Sequence, residues 1–66
     1  MNRIAGYRVT LGMNQGDLAK KLGISRQAYS EKERGNIPFK DSEKEYMKEL
    51  FRNVDSSVTI DKIFFT

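Results

Sequence analysis

The apolar residues of this chain recur at helical spacing in five short stretches, each bounded by turn or capping signals. In the first, residues 2–11, Ile4, Tyr7 and Leu11 share a face with Arg8 among them. Asn2 can cap its start, and Gly12 ends it. Gly6 weakens this helix by roughly 1 kcal/mol relative to alanine, either to admit a close neighbour or because the loss is tolerated. In the second stretch Leu18, Ala19 and Leu22 share a face, Asn14 is the N-cap, and Gly23 takes the position past the last apolar residue, where a positive φ is needed. Met13 packs beneath this helix, and Ile24 returns the chain to the core. Ser25 caps a third helix running to about Arg34, on which Ala28 and Tyr29 face inward. A fourth, capped by Asp41 or Ser42, runs to about Arg52 and turns Tyr46, Met47, Leu50 and Phe51 toward the core. After a connector, Thr59 caps a last short helix that brings back Ile60, Ile63 and Phe64. The predicted fold is all-α, a compact bundle of about five short helices in which helices 2 and 3 are joined by a short glycine turn, with residues 1–66 as one domain.

The polar positions say more about function. Arg26, Gln27, Ser30, Glu31 and Arg34 fall at i, i+1, i+4, i+5 and i+8 and form one exposed stripe on the third helix. The second and third helices are joined by so few residues that they must cross steeply, and Ala19 is small enough to let them approach. A helix that projects planar and cationic side chains in this way suits the DNA major groove, which accepts a helix by width and pairs forked side chains with base edges. The fourth helix carries Glu43, Lys44, Glu45, Lys48 and Glu49, which read as a solvated charged face. Between the two, Gly35–Lys40 is a loop: Gly35 and Asn36 form the turn, Pro38 bars helix continuation, and Ile37 or Phe39 anchors the segment to the core.

Charge adds a direction. The net charge is +3, but residues 1–36 hold seven Lys/Arg against three Asp/Glu, whereas residues 37–66 hold five against six. The basic half contains the exposed stripe and suits a phosphate backbone. The chain has no cysteine and no histidine, which leaves no disulfide, no thiolate or imidazole metal site and no histidine to activate Ser25 or Ser30 as a nucleophile. No phosphate-binding glycine loop is present either, so an enzyme is not expected and no cofactor or metal is implied. No apolar run approaches the roughly 20 residues of a membrane span, and the N-terminus lacks a signal-peptide core; a soluble, cytoplasmic protein is expected, with no membrane association.

The central run resembles the helix-turn-helix of the lambda-repressor and Cro family of phage and bacterial regulators. The matching residues are Gln15, Leu18-Ala19, Leu22-Gly23-Ile24-Ser25, Arg26-Gln27, Ser30 and Glu33-Arg34-Gly35, with Arg8 and Leu11–Asn14 before them and a looser match over Thr59–Phe64. The resemblance implies an ion pair between Arg8 and Glu33, although Arg8 could instead reach a phosphate. It also implies that the loop runs beside the DNA backbone, which makes Arg34, Asn36 and Lys40 candidate phosphate donors. Three positions depart from the family pattern. Lys32 stands where a bulky apolar residue is usual, and its stem is expected to cover the core while its amine reaches water. Ala5 stands where an arginine is common, and Glu31 places an acid on the reading face.

These readings combine into a sequence-specific, Cro-like repressor of double-stranded DNA. Arg26, Gln27, Ser30 and Glu31 would read bases, and Gln15, Ser25, Arg34, Asn36 and Lys40 would hold phosphates. A homodimer, formed in solution or on the operator, would be joined through Phe65 with Val54 or Val58 beside it. The alternative is an interaction protein on the same fold, an antirepressor or antitoxin; the acidic second half and Lys32 are the features that favour it.

Overall fold

The structure, a computed structural model, describes residues 3–64 and places them in five helices. They are α1 (Ile4–Thr10), α2 (Gln15–Leu22), α3 (Arg26–Glu33), α4 (Asp41–Phe51) and α5 (Ile60–Phe64). The most extensive helix–helix contact is between α2 and α3, the helix-turn-helix pair. The expected cap at Asn2 and the expected dimer contact at Phe65 lie outside the described residues.

The first three helices stop by one device. Gly12, Gly23 and Gly35 take φ values of 74°, 72° and 87°, a region that other residues enter only with strain. The N–H of the next residue then turns back to a carbonyl in the last turn: Met13 to Arg8 at 3.1 Å, Ile24 to Ala19 at 3.0 Å and Asn36 to Glu31 at 3.0 Å. The starts are fixed by side chains. Asn14 and Asp17 form a reciprocal capping box at α2, and Ser25 Oγ accepts the Ala28 N–H at α3. At α4 the capping carboxylate is that of Glu43, which accepts the Lys40 N–H at 2.8 Å; Lys40 occupies the cap position expected for Asp41 or Ser42.

Every helix contributes to one core. Ile4, Leu18, Tyr29, Met47, Phe51 and Ile63 are fully enclosed, with Ala19, Phe39 and Val58 nearly so. Tyr7 stacks on Phe51 at 5.1 Å, and Phe39 lies between Tyr29 and Phe64, at 6.1 and 5.4 Å. Phe39 is therefore the anchor of the loop, while Ile37 is 43% exposed. The Arg3 N–H donates to the Ile63 carbonyl at 3.0 Å and ties the start of α1 to the last helix.

Several expectations are corrected. Tyr46 is exposed rather than part of the inner stripe of α4, because Met47 and Phe51, one turn apart, already fill that face. Ile60 is half-buried and does not join the core cluster. Val58 is enclosed by its own chain, so its side chain does not offer the surface that a dimer contact requires. A Cβ at Gly6 would meet nothing within 4 Å, so this glycine does not serve a close helix approach.

The largest correction concerns charge. The Lys32 amine does not reach water: Nζ lies 2.7 and 3.0 Å from the two oxygens of Glu43, and both side chains are buried. Glu43 is correspondingly absent from the solvated face of α4. The pair bridges α3 and α4 in place of an apolar contact, and the same carboxylate caps α4. Removing one member of such a pair leaves the other charge buried and alone. Lys32→Met should therefore destabilise the fold by about 3 kcal/mol. The double variant Lys32→Met with Glu43→Gln should recover most of that loss, because the amide oxygen still caps Lys40 and no charge remains. Urea unfolding of the three proteins checks this; a single variant as stable as the parent would remove the pair from the account.

Candidate nucleic-acid interface

Glu33, the last residue of α3, gathers the first three helices. Its carboxylate accepts Arg8 Nε at 3.0 Å and Nη2 at 3.3 Å from α1, Gln15 Nε2 at 3.1 Å from α2, and the Tyr29 hydroxyl at 2.7 Å from its own helix. Arg8 also donates Nη1 to the Met13 carbonyl at 2.9 Å, so one guanidinium holds both α3 and the α1–α2 turn. The fork geometry is one that lysine could not reproduce.

Electrostatics follow from this arrangement. Burial pushes the Glu33 carboxyl up, but hydrogen bonds from Arg8, Tyr29 and Gln15, with the Arg8 charge, outweigh it and leave its pKa below the ordinary value of 4.5. The hydrogen bond to Glu33 raises Arg8. Burial, reinforced by the adjacent Glu33 carboxylate, drives Tyr29 far above the usual phenol range, so its hydroxyl stays a donor. Glu43 repeats the pattern of Glu33: burial raises it, and Lys32 together with the Lys40 N–H brings it below 4.5.

Around this frame the proposed site residues fall into three groups. Gln15, Arg26, Gln27, Ser30, Glu31 and Arg34 line one shallow recess on the outside of α2 and α3. Five of the six form the stripe read from helical spacing; the sixth crosses over from α2. Gln15 Nε2 is engaged by Glu33, which leaves the rest of its amide toward the recess, and no hydrogen bond joins it to Gln27. Ser25 is exposed; its Oγ accepts a backbone hydrogen bond as cap, and its own hydrogen remains free to donate. Lys40 is exposed at the start of α4, across the loop from α3. Asn36 is also exposed, and its side chain donates to Glu31 Oε2 at 2.7 Å. Val54, 36% exposed, lies near Arg3, Gly6, Tyr7 and Thr10, away from the recess.

Sequence reasoning missed two participants. The Tyr29 hydroxyl sits four residues before Glu33, a spacing that places both on one helix face and could have revealed the bond. The Lys32–Glu43 pair joins two helices, and no local spacing announces it. Among the described residues no cluster of acidic, histidine or cysteine side chains could hold a metal ion, and no helix is long and apolar enough to cross a membrane.

A short helix pair joined by a glycine turn, with polar side chains of the second helix around an open recess, defines a helix-turn-helix protein. A family model described as helix-turn-helix matches residues 4–39, more than half of the chain, and the chain belongs to this Cro/C1-type family of DNA-binding regulators. No curated protein and no solved structure matches it.

Asp55 is also held below its ordinary value, by hydrogen bonds from Ser57 at the surface, but the acid response of the fold follows chiefly from Glu33 and Glu43, the two depressed carboxylates within the packed structure. Their folded pKa values lie below the unfolded ones, so the stability they contribute is complete above about pH 4.5 and is lost as pH falls through the folded values. With no histidine in the chain, no comparable step is expected between pH 6 and 8. Thermal unfolding followed by circular dichroism should give a plateau at neutral pH and a decline in acid. Glu33→Gln should lower the plateau and flatten the decline. An unchanged acid slope in that variant would show that Glu33 does not carry the linkage.

Proposed function

We propose that this chain is a sequence-specific transcriptional repressor of the Cro-like kind, acting in the cytoplasm of a bacterium or a phage-infected cell. The observation that carries the reading is the recess shared by α2 and α3, in which planar amide, guanidinium and hydroxyl groups stand on a helix held from behind by Glu33 and Lys32. Helix α3 would lie in the major groove. Arg26 would favour guanine and Gln27 adenine, each by paired hydrogen bonds, with Ser30 and Glu31 deeper along the same face. Gln15, Ser25, Arg34 and Lys40 would hold phosphates on either side and set the register without reading sequence. The burial of Lys32 against Glu43 accounts for one of the two features that favoured a protein-binding role, and DNA is the stronger reading.

The two contact classes separate in a salt titration. Arg26→Ala and Gln27→Ala should each cost about 1–3 kcal/mol on the selected site and relax preference at one or two positions. Lys40→Ala and Arg34→Ala should weaken binding to all sequences alike and reduce the salt slope by about one unit each. Mobility shifts against DNA flanking the gene, at several salt concentrations, measure both. A base-specific loss from Lys40→Ala would reverse its assignment, and no DNA binding at low salt would end the reading.

The repressor would act as a two-fold dimer. A module of this size covers about 600–1,000 Å² on DNA and reads only a few base pairs. Two copies double the reading, and their half-sites should lie about 34–36 Å apart, one turn of the duplex. Val54, 36% exposed, is the described residue that supports such a contact; Phe65, the other proposed contact residue, lies outside the described residues. Analytical ultracentrifugation on a duplex with two half-sites should give two chains per duplex, and Val54→Asp should weaken the second binding step. One chain per duplex at saturation would eliminate the dimer.

A further inference from the structure

Glu31 is the one acid among the six residues that line the recess, and its carboxylate is held in an unusual way. Among the described residues no cation pairs with it. Its partner is a neutral amide, Asn36 Nδ2, at 2.7 Å from Oε2. Asn36 is fixed to the same residue a second time, because its backbone N–H donates to the Glu31 carbonyl at 3.0 Å in the turn that Gly35 makes at φ 87°. The amide therefore comes back to Glu31 by the way α3 ends, and the bond orients the carboxylate without neutralising it.

The consequence lies in what a carboxylate can accept. A negative charge brought into the major groove stands among phosphates and has only oxygen acceptors to offer. It is compensated where a base edge presents an N–H donor. Cytosine N4 and adenine N6 are the donors in that groove, whereas guanine and thymine present acceptors that face the carboxylate with like polarity. Adenine adds an N7 acceptor beside its donor, which suits an amide and repels a carboxylate. Cytosine is left as the matching base.

We propose that Glu31 is a specificity-determining residue that accepts a hydrogen bond from a cytosine amino group in the half-site, and that Asn36 is its positioning residue rather than a phosphate donor. This rests on the reading of α3 as the base-reading helix. Glu31 then acts mainly by exclusion: it adds little affinity at the right site and weakens every site that offers an acceptor at its position. Asn36 makes that exclusion sharp by restricting where the free carboxylate oxygen can sit.

The test is selection from a randomised duplex library with the parent protein, Glu31→Gln and Asn36→Ala, followed by affinity measurements on the selected duplex and on single-base variants of it. The parent should select cytosine at one position in each half-site. Glu31→Gln should lose that preference by about ten-fold, shift it toward adenine, and bind the mismatched duplexes more tightly than the parent does. Asn36→Ala should blunt the preference several-fold at the same position, with its salt slope and the other positions unchanged. A loss of stability alone would not move one base position. The proposal is overturned if Glu31→Gln keeps the parent's preference at every position, or if Asn36→Ala lowers binding to all duplexes alike with a salt slope reduced by about one. Failure of the parent to bind any duplex would instead remove the base-reading helix on which the proposal rests.

Discussion

The orientation of α3 depends first on one carboxylate. Glu33 takes hydrogen bonds from Arg8, Gln15 and Tyr29, and through them α1, α2 and α3 are referred to a single point. A hydrophobic contact of the same area would permit sliding, since burial is non-directional. A forked guanidinium on a carboxylate permits little. The pair is partly buried, so desolvation offsets much of its attraction, and its net contribution to stability is small. Its contribution to geometry is not small, because any packing that separates Arg8 from Glu33 strands a charge.

Helix α3 needs this kind of restraint because it has little else. Of its eight residues, Tyr29 is the one large apolar side chain, and it is fully enclosed. The neighbours Lys32 and Glu33 supply the remainder: Glu33 reaches back to α1 and α2, and Lys32 reaches forward to Glu43 on α4. One aromatic and two ion pairs thus hold a helix whose remaining face stays polar. That face is where Arg26, Gln27, Ser30, Glu31 and Arg34 stand. A broader apolar stripe would have stabilised the helix more cheaply, but over eight residues it would have taken positions from that polar face.

What the sequence disclosed and what it hid divide along the range of the interactions. Helix number, the glycine stops, the caps of α2 and α3 and the outward stripe of α3 depend on neighbours within about five residues, and spacing reveals them. The Arg8–Glu33 pair spans 25 residues and was accessible only through family resemblance. The Lys32–Glu43 bridge had no such help. Glu43 sits among alternating charges that look solvated, and the departure from an apolar residue at position 32 suggested a stem over the core with its amine in water. In helix α4 only Tyr46 departs from the expected stripe, for a related reason: the two apolar pairs Tyr46-Met47 and Leu50-Phe51 fit two overlapping stripes, and only the packing of Met47 and Phe51 decides which faces in. Val58, in an irregular connector, has no period to follow at all, and Ile60 keeps helical spacing with Ile63 and Phe64 but, as the first residue of the short α5, stays half-buried.

The distribution of restraint also bears on the proposed reading of DNA sequence by so small a domain. Phosphate contacts tolerate displacement, because a cation finds another oxygen nearby; base-edge contacts do not. A recognition helix free to shift by an ångström could therefore keep its affinity and lose its selectivity. Here the helix is tied at Glu33 to the two preceding helices and at Lys32 to the following one. The loop that leaves it is held by Phe39 in the core and by Asn36 on Glu31. The polar anchors cost desolvation, and that cost is what makes alternative positions of α3 unfavourable. In a 66-residue chain with no disulfide to fix its frame, charge pairing at the back of the helix takes over the positional role that a larger core would otherwise fill.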